Sequence, residues 1–283
     1  MLFRSILAAG FSSRMKAFKP LLPVGGKPMV QRCIDLFLDN GITDIVVVTG
    51  HYREHLEPVI RDAGACPVFH PGFASGMLGS IQQGIANIRP GQTGFFLLPT
   101  DIPAIRPATV ARMMKKFQSD PHWIIMPCFN DMPGHPPLIP CEFKDRILAL
   151  KESSTLRDLM AAQKDRTVNL KFHDRGILMD ADNQDGYRRV ESKVRSFDIP
   201  DREECLSIVD QELPKKHPIR DHLAQVAMTA LKLAHAVSGP VNVDLVIAAA
   251  LLHDIKRRGK NHAAAGAELL QGLGFNRVAK VVE

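Results

Sequence analysis

Residues 44–49, DIVVVT, form an unbroken β-branched run with no polar alternation. A strand with one wet face alternates apolar and polar side chains, so this run predicts a strand buried on both faces. Such a strand needs layers above and below its sheet, and the flanking sequence supplies them. Residues 2–7 (LFRSIL), 67–70, 95–98 (FFLL), 123–127 (WIIMP) and 168–172 read as further strands. Residues 28–38 space Met29, Val30, Cys33, Ile34, Phe37 and Leu38 along one helix face and stop at Asn40-Gly41, a helix-ending pair. Helices are also expected over 53–62, from near Pro107 and over 154–160. Strands alternating with helices predict a layered α/β unit with a mostly parallel sheet. Ligands of such sheets sit beyond the carboxyl ends of the strands.

Composition bounds the remainder. At 283 residues the chain can bury a sizeable core and suggests two domains; 45% hydrophobic and 23% charged residues are those of a soluble globular protein. The net charge of +6 favours phosphorylated ligands. No long Lys/Arg run or basic–aromatic alternation marks a nucleic-acid surface, and no segment approaches the roughly 20 apolar residues of a membrane span. Neither partner is expected. Cys33, Cys66, Cys128, Cys141 and Cys205 are scattered without a C-x-x-C pair, as in reduced thiols, and the apolar N-terminus is too short for a signal peptide. The expected setting is cytoplasmic.

The first strand runs into LAAGFSSRMKAFKP, residues 7–20. Ala8, Ala9 and Gly10 are small enough for backbone N–H groups to approach an anion closely. Arg14 adds a forked, permanent cation and Lys19 a mobile one, both suited to phosphate oxygens. An ordinary strand-to-loop turn with two solvated cations would explain the same residues. The full arrangement LAAG-x-SSRM-x3-K-P-L-L resembles the N-terminal signature of nucleotidyltransferases with a glycosyltransferase-A-like fold, which include the sugar-1-phosphate and molybdenum-cofactor enzymes; Lys16 stands where many of them have Gly. The resemblance implies a loop of Leu7, Ala8, Ala9, Gly10, Ser12 and Ser13 wrapped round a nucleoside triphosphate, with Arg14 and Lys19 on its phosphates.

Further segments follow in the order of that family. Gly76, Met77 and Ser80, within SGMLGSIQQG, match its G-M-x-x-S segment, which holds the nucleotide; read alone they are a loop and helix cap. Asp101 ends the FFLLPTDIP strand, where a carboxylate can hold a hard divalent cation or cap the following turn. The segment resembles the family's G-D-x-P, with Thr100 for the usual Gly, which favours Mg²⁺ on Asp101. Gly134 and His135 resemble the G-H-P bordering the acceptor pocket of molybdenum-cofactor nucleotidyltransferases; a His in a Pro/Gly turn is otherwise structural. Asp180 and Asp182 lie within a stretch resembling the closing D-x-D-T-P-E-D-Y, from which Asn183, Gln184 and Gly186 depart. As i and i+2 of a strand the two acids would share one face, and either is a candidate for the second Mg²⁺ carboxylate.

Beyond residue 195 the strand pattern stops. Helices are expected over 200–211 (with Asp201, Glu203 and Glu204 in its first turns), over 221–236 and over 243–255. His222, the pair His253-Asp254 and His262 combine imidazole with carboxylate, as transition-metal sites do, although a partly buried His beside a capping Asp is the simpler account of the pair. The frame His222-x3-Val226-Ala227, LLHDI and His262 resembles the HD-domain phosphohydrolases. That resemblance implies His222, His253 and Asp254 on a first metal and His262 on a second. The family usually supplies a final Asp from a later helix, and none stands before Glu283, so a partial, truncated HD-type domain is expected.

The expected organisation is an α/β nucleotidyltransferase domain over residues 1–195 and an all-α HD-type domain over 198–283. The leading function is Mg²⁺-dependent nucleotidyl transfer from CTP, or next GTP, to a molybdopterin-type acceptor, with Arg14, Lys19 and Asp101 central. A molybdoenzyme or its chaperone would be the further partner. The alternatives are an HD-type phosphohydrolase with a nucleotide-sensing N-terminal domain, and a nucleotide-binding regulator without turnover.

Overall fold

The computed structural model describes residues 1–11, 15, 17–257 and 261–283. The expectations for Ser12, Ser13 and Arg14 therefore lie outside the described residues. The strands are β1 Leu2–Leu7, β2 Pro23–Val24, β3 Lys27–Pro28, β4 Ile45–Thr49, β5 Cys66–Phe69, β6 Gly94–Pro99, β7 Ile124–Phe129, β8 Met132–Pro133, β9 Leu138–Pro140 and β10 Thr167–Lys171. The α-helices of the first half are α1 Met29–Leu38, α2 Arg53–Asp62, α3 Met77–Ala86, α4 Pro107–Ser119, α5 Lys144–Leu148, α6 Leu156–Ala161 and α7 Gln184–Arg195. Those of the second half are α8 Arg202–Glu212, α9 Ile219–Ala236, α10 Val243–Leu252, α11 His262–Gly272 and α12 Asn276–Val282.

The main sheet runs β10-β7-β9-β6-β1-β4-β5, with β8 paired to β7, while β2 and β3 form a separate hairpin. Pairings of β1 with β4 and β6, of β4 with β5 and of β10 with β7 are parallel. The three-residue β9 is antiparallel to both β6 and β7. In β4, Ile45 and Val47 enter one core and Val46 and Val48 the other; in β6, Phe96 and Leu98 oppose Phe95 and Leu97 in the same way. One core packs α1, α2 and α4 on the sheet, the other α3, α5 and α6. The unbroken run of β4 is thus explained by helices on both faces.

The chain divides into two compact units, Met1–Phe172 with Gly176–Val194, and His173–Arg175 with Arg195–Glu283. The excursion of His173–Arg175 into the second unit has a local cause. The His173 ring shares a 2.8 Å hydrogen bond with Ser207 of α8, and the Arg175 N–H donates to Glu204 Oε1 at 2.9 Å. The helix expected from residue 200 begins instead at Arg202, because Asp201 and Glu204 close a capping box ahead of it. Helices α8 to α12 enclose a core of their own, with Ile208, Leu223, Leu252, Leu270 and Val278 buried. No helix of the described residues is long and apolar enough to cross a membrane.

Candidate active site

The end of β1 is the fixed point of the site. Leu7 lies in register with Val48 on one side and Pro99 on the other. Beyond the strand, the Ala8 N–H donates to Val48 O at 2.9 Å, and both the N–H and hydroxyl of Thr100 donate to Leu7 O at 3.1 Å. Thr100 thereby ties the acid-bearing loop to the first loop. Gly50 lets the loops close up: a Cβ there would lie 2.6 Å from Ala9 O and from the Phe73 ring. Gly84 does the same for α3, where a Cβ would come within 1.9 Å of Ser5 Oγ, so the helix rests directly on β1 and Ser80 is held at the site. Gly76 starts that helix at φ +122°, a region that glycine alone enters freely.

These elements enclose a cleft of about 320 Å³. Leu7, Ala8, Ala9, Gly10, Lys19, Gly76, Met77, Ser80 and Asp101, singled out from the sequence, all line it, joined by Phe11, Phe73 and Thr100. Lys19 Nζ lies 3.3 Å from Asp101 Oδ2 and 2.7 Å from Asp182 Oδ1, with the lysine side chain 12% exposed. Two hard oxygen donors on one cationic centre are the donor chemistry that Mg²⁺ requires, so the residues present fit that ion. Burial pushes the Asp101 carboxyl above the ordinary carboxylate value; Lys19 pulls it back and Asp182 adds to the push.

Asp180 and Asp182 do not share a strand face. They lie in a loop between the 3₁₀ turn Arg175–Leu178 and α7. Asn183 Oδ1 accepts the Gly186 N–H at 2.9 Å and caps α7, and a Cβ on Gly186 would meet Asp180 O at 2.6 Å. This tight start breaks the extended backbone that the i, i+2 argument assumed. Asp182 meets Lys19, whereas Asp180 Oδ1 accepts the Asp182 N–H at 3.2 Å. Two more contacts hold the acidic loop. The Ala181 N–H donates to Asp101 O at 2.8 Å, and the Tyr187 hydroxyl of α7 donates to Pro23 O of the hairpin that follows Lys19.

Gly134 and His135 are not among the residues lining the cleft. Their amides donate to Pro127 O at 2.8 Å and Ile177 O at 2.9 Å, and a Cβ on Gly134 would lie 2.6 Å from Ile177 O. Burial holds the His135 imidazole below its ordinary pKa, partly offset by a hydrogen bond to the Leu97 backbone. The pair anchors the segment that leads to the acidic loop.

In the helical unit, His222, His253 and Asp254 each bring a ligand atom within 4.8 Å of the others. Asp254 follows the end of α10 and, among the described residues, is approached by four side chains. His253 Nε2 lies 3.5 Å from its carboxylate, His222 Nε2 3.8 Å, His262 Nε2 3.3 Å and Arg257 2.8 Å. His253 Nδ1–H donates to Ala250 O at 3.0 Å, which leaves Nε2 as the basic nitrogen. Imidazole nitrogens beside one carboxylate fit a transition metal. Gly50, Gly84 and Thr100 were missed by sequence reasoning; a Gly closing the β4 run was the signal present for the first.

Residues 5–167 match the MobA-like NTP transferase domain family, and residues 219–283 match the HD domain family. The molybdenum cofactor cytidylyltransferase of Escherichia coli (strain K12) is 24% identical over 200 residues, which cover 69% of this chain and 96% of that protein. The bifunctional protein GlmU of Cellvibrio japonicus is 33% identical over 116 residues, 38% of this chain. The match spans only about a quarter (24%) of that GlmU's length. Among solved structures, the manganese complex of Rv0371c from Mycobacterium tuberculosis H37Rv superposes with a TM-score of 0.58 at 21% identity, over 68% of this chain and 98% of that one.

Proposed function

Because the chain belongs to the MobA-like NTP transferase domain family and carries an HD domain, we propose that its α/β unit transfers the nucleotidyl group of CTP, or less well GTP, to a molybdopterin-type acceptor and releases pyrophosphate. The observation that carries this reading is the convergence of Lys19, Asp101 and Asp182 at a cleft lined by the small residues Ala8, Ala9 and Gly10. The small residues admit the triphosphate to the backbone, and Ser80 with Gly76 borders the nucleoside. Lys19 neutralises the pyrophosphate as it leaves, with Arg14 assigned the same task by its sequence position. Asp101 and Asp182 would hold Mg²⁺, which when bound supplies charge neutralisation on the triphosphate. Asp180 orients Asp182 through its amide, and Gly134 and His135 hold the acidic loop in register. An acceptor phosphate is already ionised at neutral pH, so attack on the α-phosphorus needs no side-chain base.

A second activity is favoured by the cluster of His222, His253 and Asp254, with His262 on the same carboxylate. These residues would hold a transition metal, which when bound supplies the Lewis acidity for phosphoester hydrolysis. A molybdoenzyme or its chaperone receives the nucleotide-linked cofactor. The test is pyrophosphate release by the full chain with Mg²⁺, loaded molybdopterin-type acceptor and each of CTP, GTP, ATP and UTP. Acceptor-dependent release fastest with CTP is expected. Silence with all four from a folded chain would overturn the reading.

A further inference from the structure

We propose that Lys19 sets the order of binding at this site: its ammonium keeps divalent metal off Asp101 and Asp182 until a triphosphate draws it away. Metal then enters with the nucleotide rather than before it. The inference rests on the proposed reading that these two carboxylates hold the metal.

Two carboxylates that converge without an organic cation would attract a divalent ion by themselves. Here Lys19 Nζ stands 3.3 Å and 2.7 Å from the facing oxygens of Asp101 and Asp182. A dication sharing those oxygens would also face the ammonium at close range, and like charges there repel strongly. The lysine side chain is only 12% exposed, against 24% for Asp101 and 34% for Asp182, so solvent screens the contact weakly. It is also held from both ends of the fold. Pro20 and Lys19 begin a 3₁₀ turn buried at Pro20, and the acidic loop is pinned by the Ala181-to-Asp101 backbone bond. An arginine in this place would make a rigid forked pair. A lysine is a point charge on a flexible four-carbon stem, and it can leave the carboxylates without moving the backbone.

The same side chain lines the cleft with Ala8, Ala9 and Gly10, where a triphosphate offers it several anionic oxygens. Once the ammonium turns to those oxygens, its own hold on both carboxylates ends in one step. Nucleotide and metal then raise each other's affinity by one common factor, as linkage requires.

The test uses the full chain and reads Mn²⁺ binding by electron paramagnetic resonance, with and without the non-hydrolysable α,β-methylene analogue of CTP. The share of the N-terminal site is the difference from an Asp101→Asn chain, which removes the background of the helical unit. The wild-type chain is expected to bind Mn²⁺ weakly alone and about tenfold or more tightly with the analogue. Lys19→Met, and Lys19→Gln as a second variant, should bind Mn²⁺ about tenfold more tightly than wild type without nucleotide, with little further gain from the analogue. Wild-type binding as tight as that of both variants, yet abolished by Asp101→Asn, would overturn the ordering role while leaving the metal site intact. Binding indistinguishable from Asp101→Asn in every chain, with analogue present, would overturn the metal reading itself.

Discussion

Lys19 and Arg257 each lay a cation on a carboxylate proposed as a metal ligand, but in different settings. Lys19 is 12% exposed and reaches Asp101 and Asp182, which stand 82 and 163 residues away in sequence. Arg257 is 57% exposed and pairs with Asp254 three residues back. A long-range, part-buried pair forms only when the whole α/β unit is folded, so its cation can gate a site. The Arg257 pair is made within one turn, and its exposed guanidinium can swing into solvent and leave Asp254 to a metal. If the proposal holds, a set of acids alone does not describe a metal site, because the neighbouring cation bears on when a metal can reach them.

The strongest way to break the comparison is to disable each half separately. Asp101→Asn should lower nucleotidyl transfer by about a thousandfold or more while the helical unit keeps its metal. Asp254→Asn should strip that metal and leave transfer within about twofold, since the two sites lie in separate compact units. Label transfer and metal content of the purified chains check both. Glycines sharpen the same contrast. Gly84→Ala places a Cβ 1.9 Å from Ser5 Oγ and should cost about 1–3 kcal/mol of stability in denaturant melts. Gly266→Ala, inside α11, meets among the described residues Val282 Cγ1 at 3.4 Å and Ile255 Cγ2 at 3.5 Å, and should stabilise by about 0.5–1 kcal/mol.

Arg4 tests what burial does to a cation away from the cleft lining. Its Nε and one terminal nitrogen have no partner among the described residues, and burial lowers its pKa to about 9, with Asp44 opposing the shift. Arg4→Met should stabilise by about 1 kcal/mol at pH 7. Above about pH 9 the folded chain has lost a proton that the unfolded chain still binds, so wild-type stability rises with pH and the advantage of the variant shrinks. Melts at pH 7 and pH 10 check the sign. The smallest effect belongs to Arg257→Ala, which should change metal affinity of the helical unit by less than about fivefold in a metal titration.

The β-branched run of β4 and the small residues after β1 made the layered sheet and its cleft legible, because those signals are local. What the sequence concealed was long-range or too short for a period. Strand β9 has three residues, Leu138–Pro140, and no alternation to read. The Asp180–Asp182 pair looked like a strand face until Asn183 and Gly186 turned it into the approach to α7. The meeting of Lys19 with Asp182 depends on α7 crossing the β2–β3 hairpin, where Gly25, at φ +57°, leaves room for Val194. No spacing rule carries that contact.

The most direct test of the account is a crystal of the full chain grown with Mn²⁺ and the α,β-methylene analogue of CTP, read by anomalous scattering. The account predicts an ion on Asp101 and Asp182 beside the triphosphate, with Lys19 turned to the phosphates, and a separate ion on His222, His253 and Asp254. A nucleotide bound in the cleft with no ion on Asp101 or Asp182, and Lys19 still between them, would contradict it.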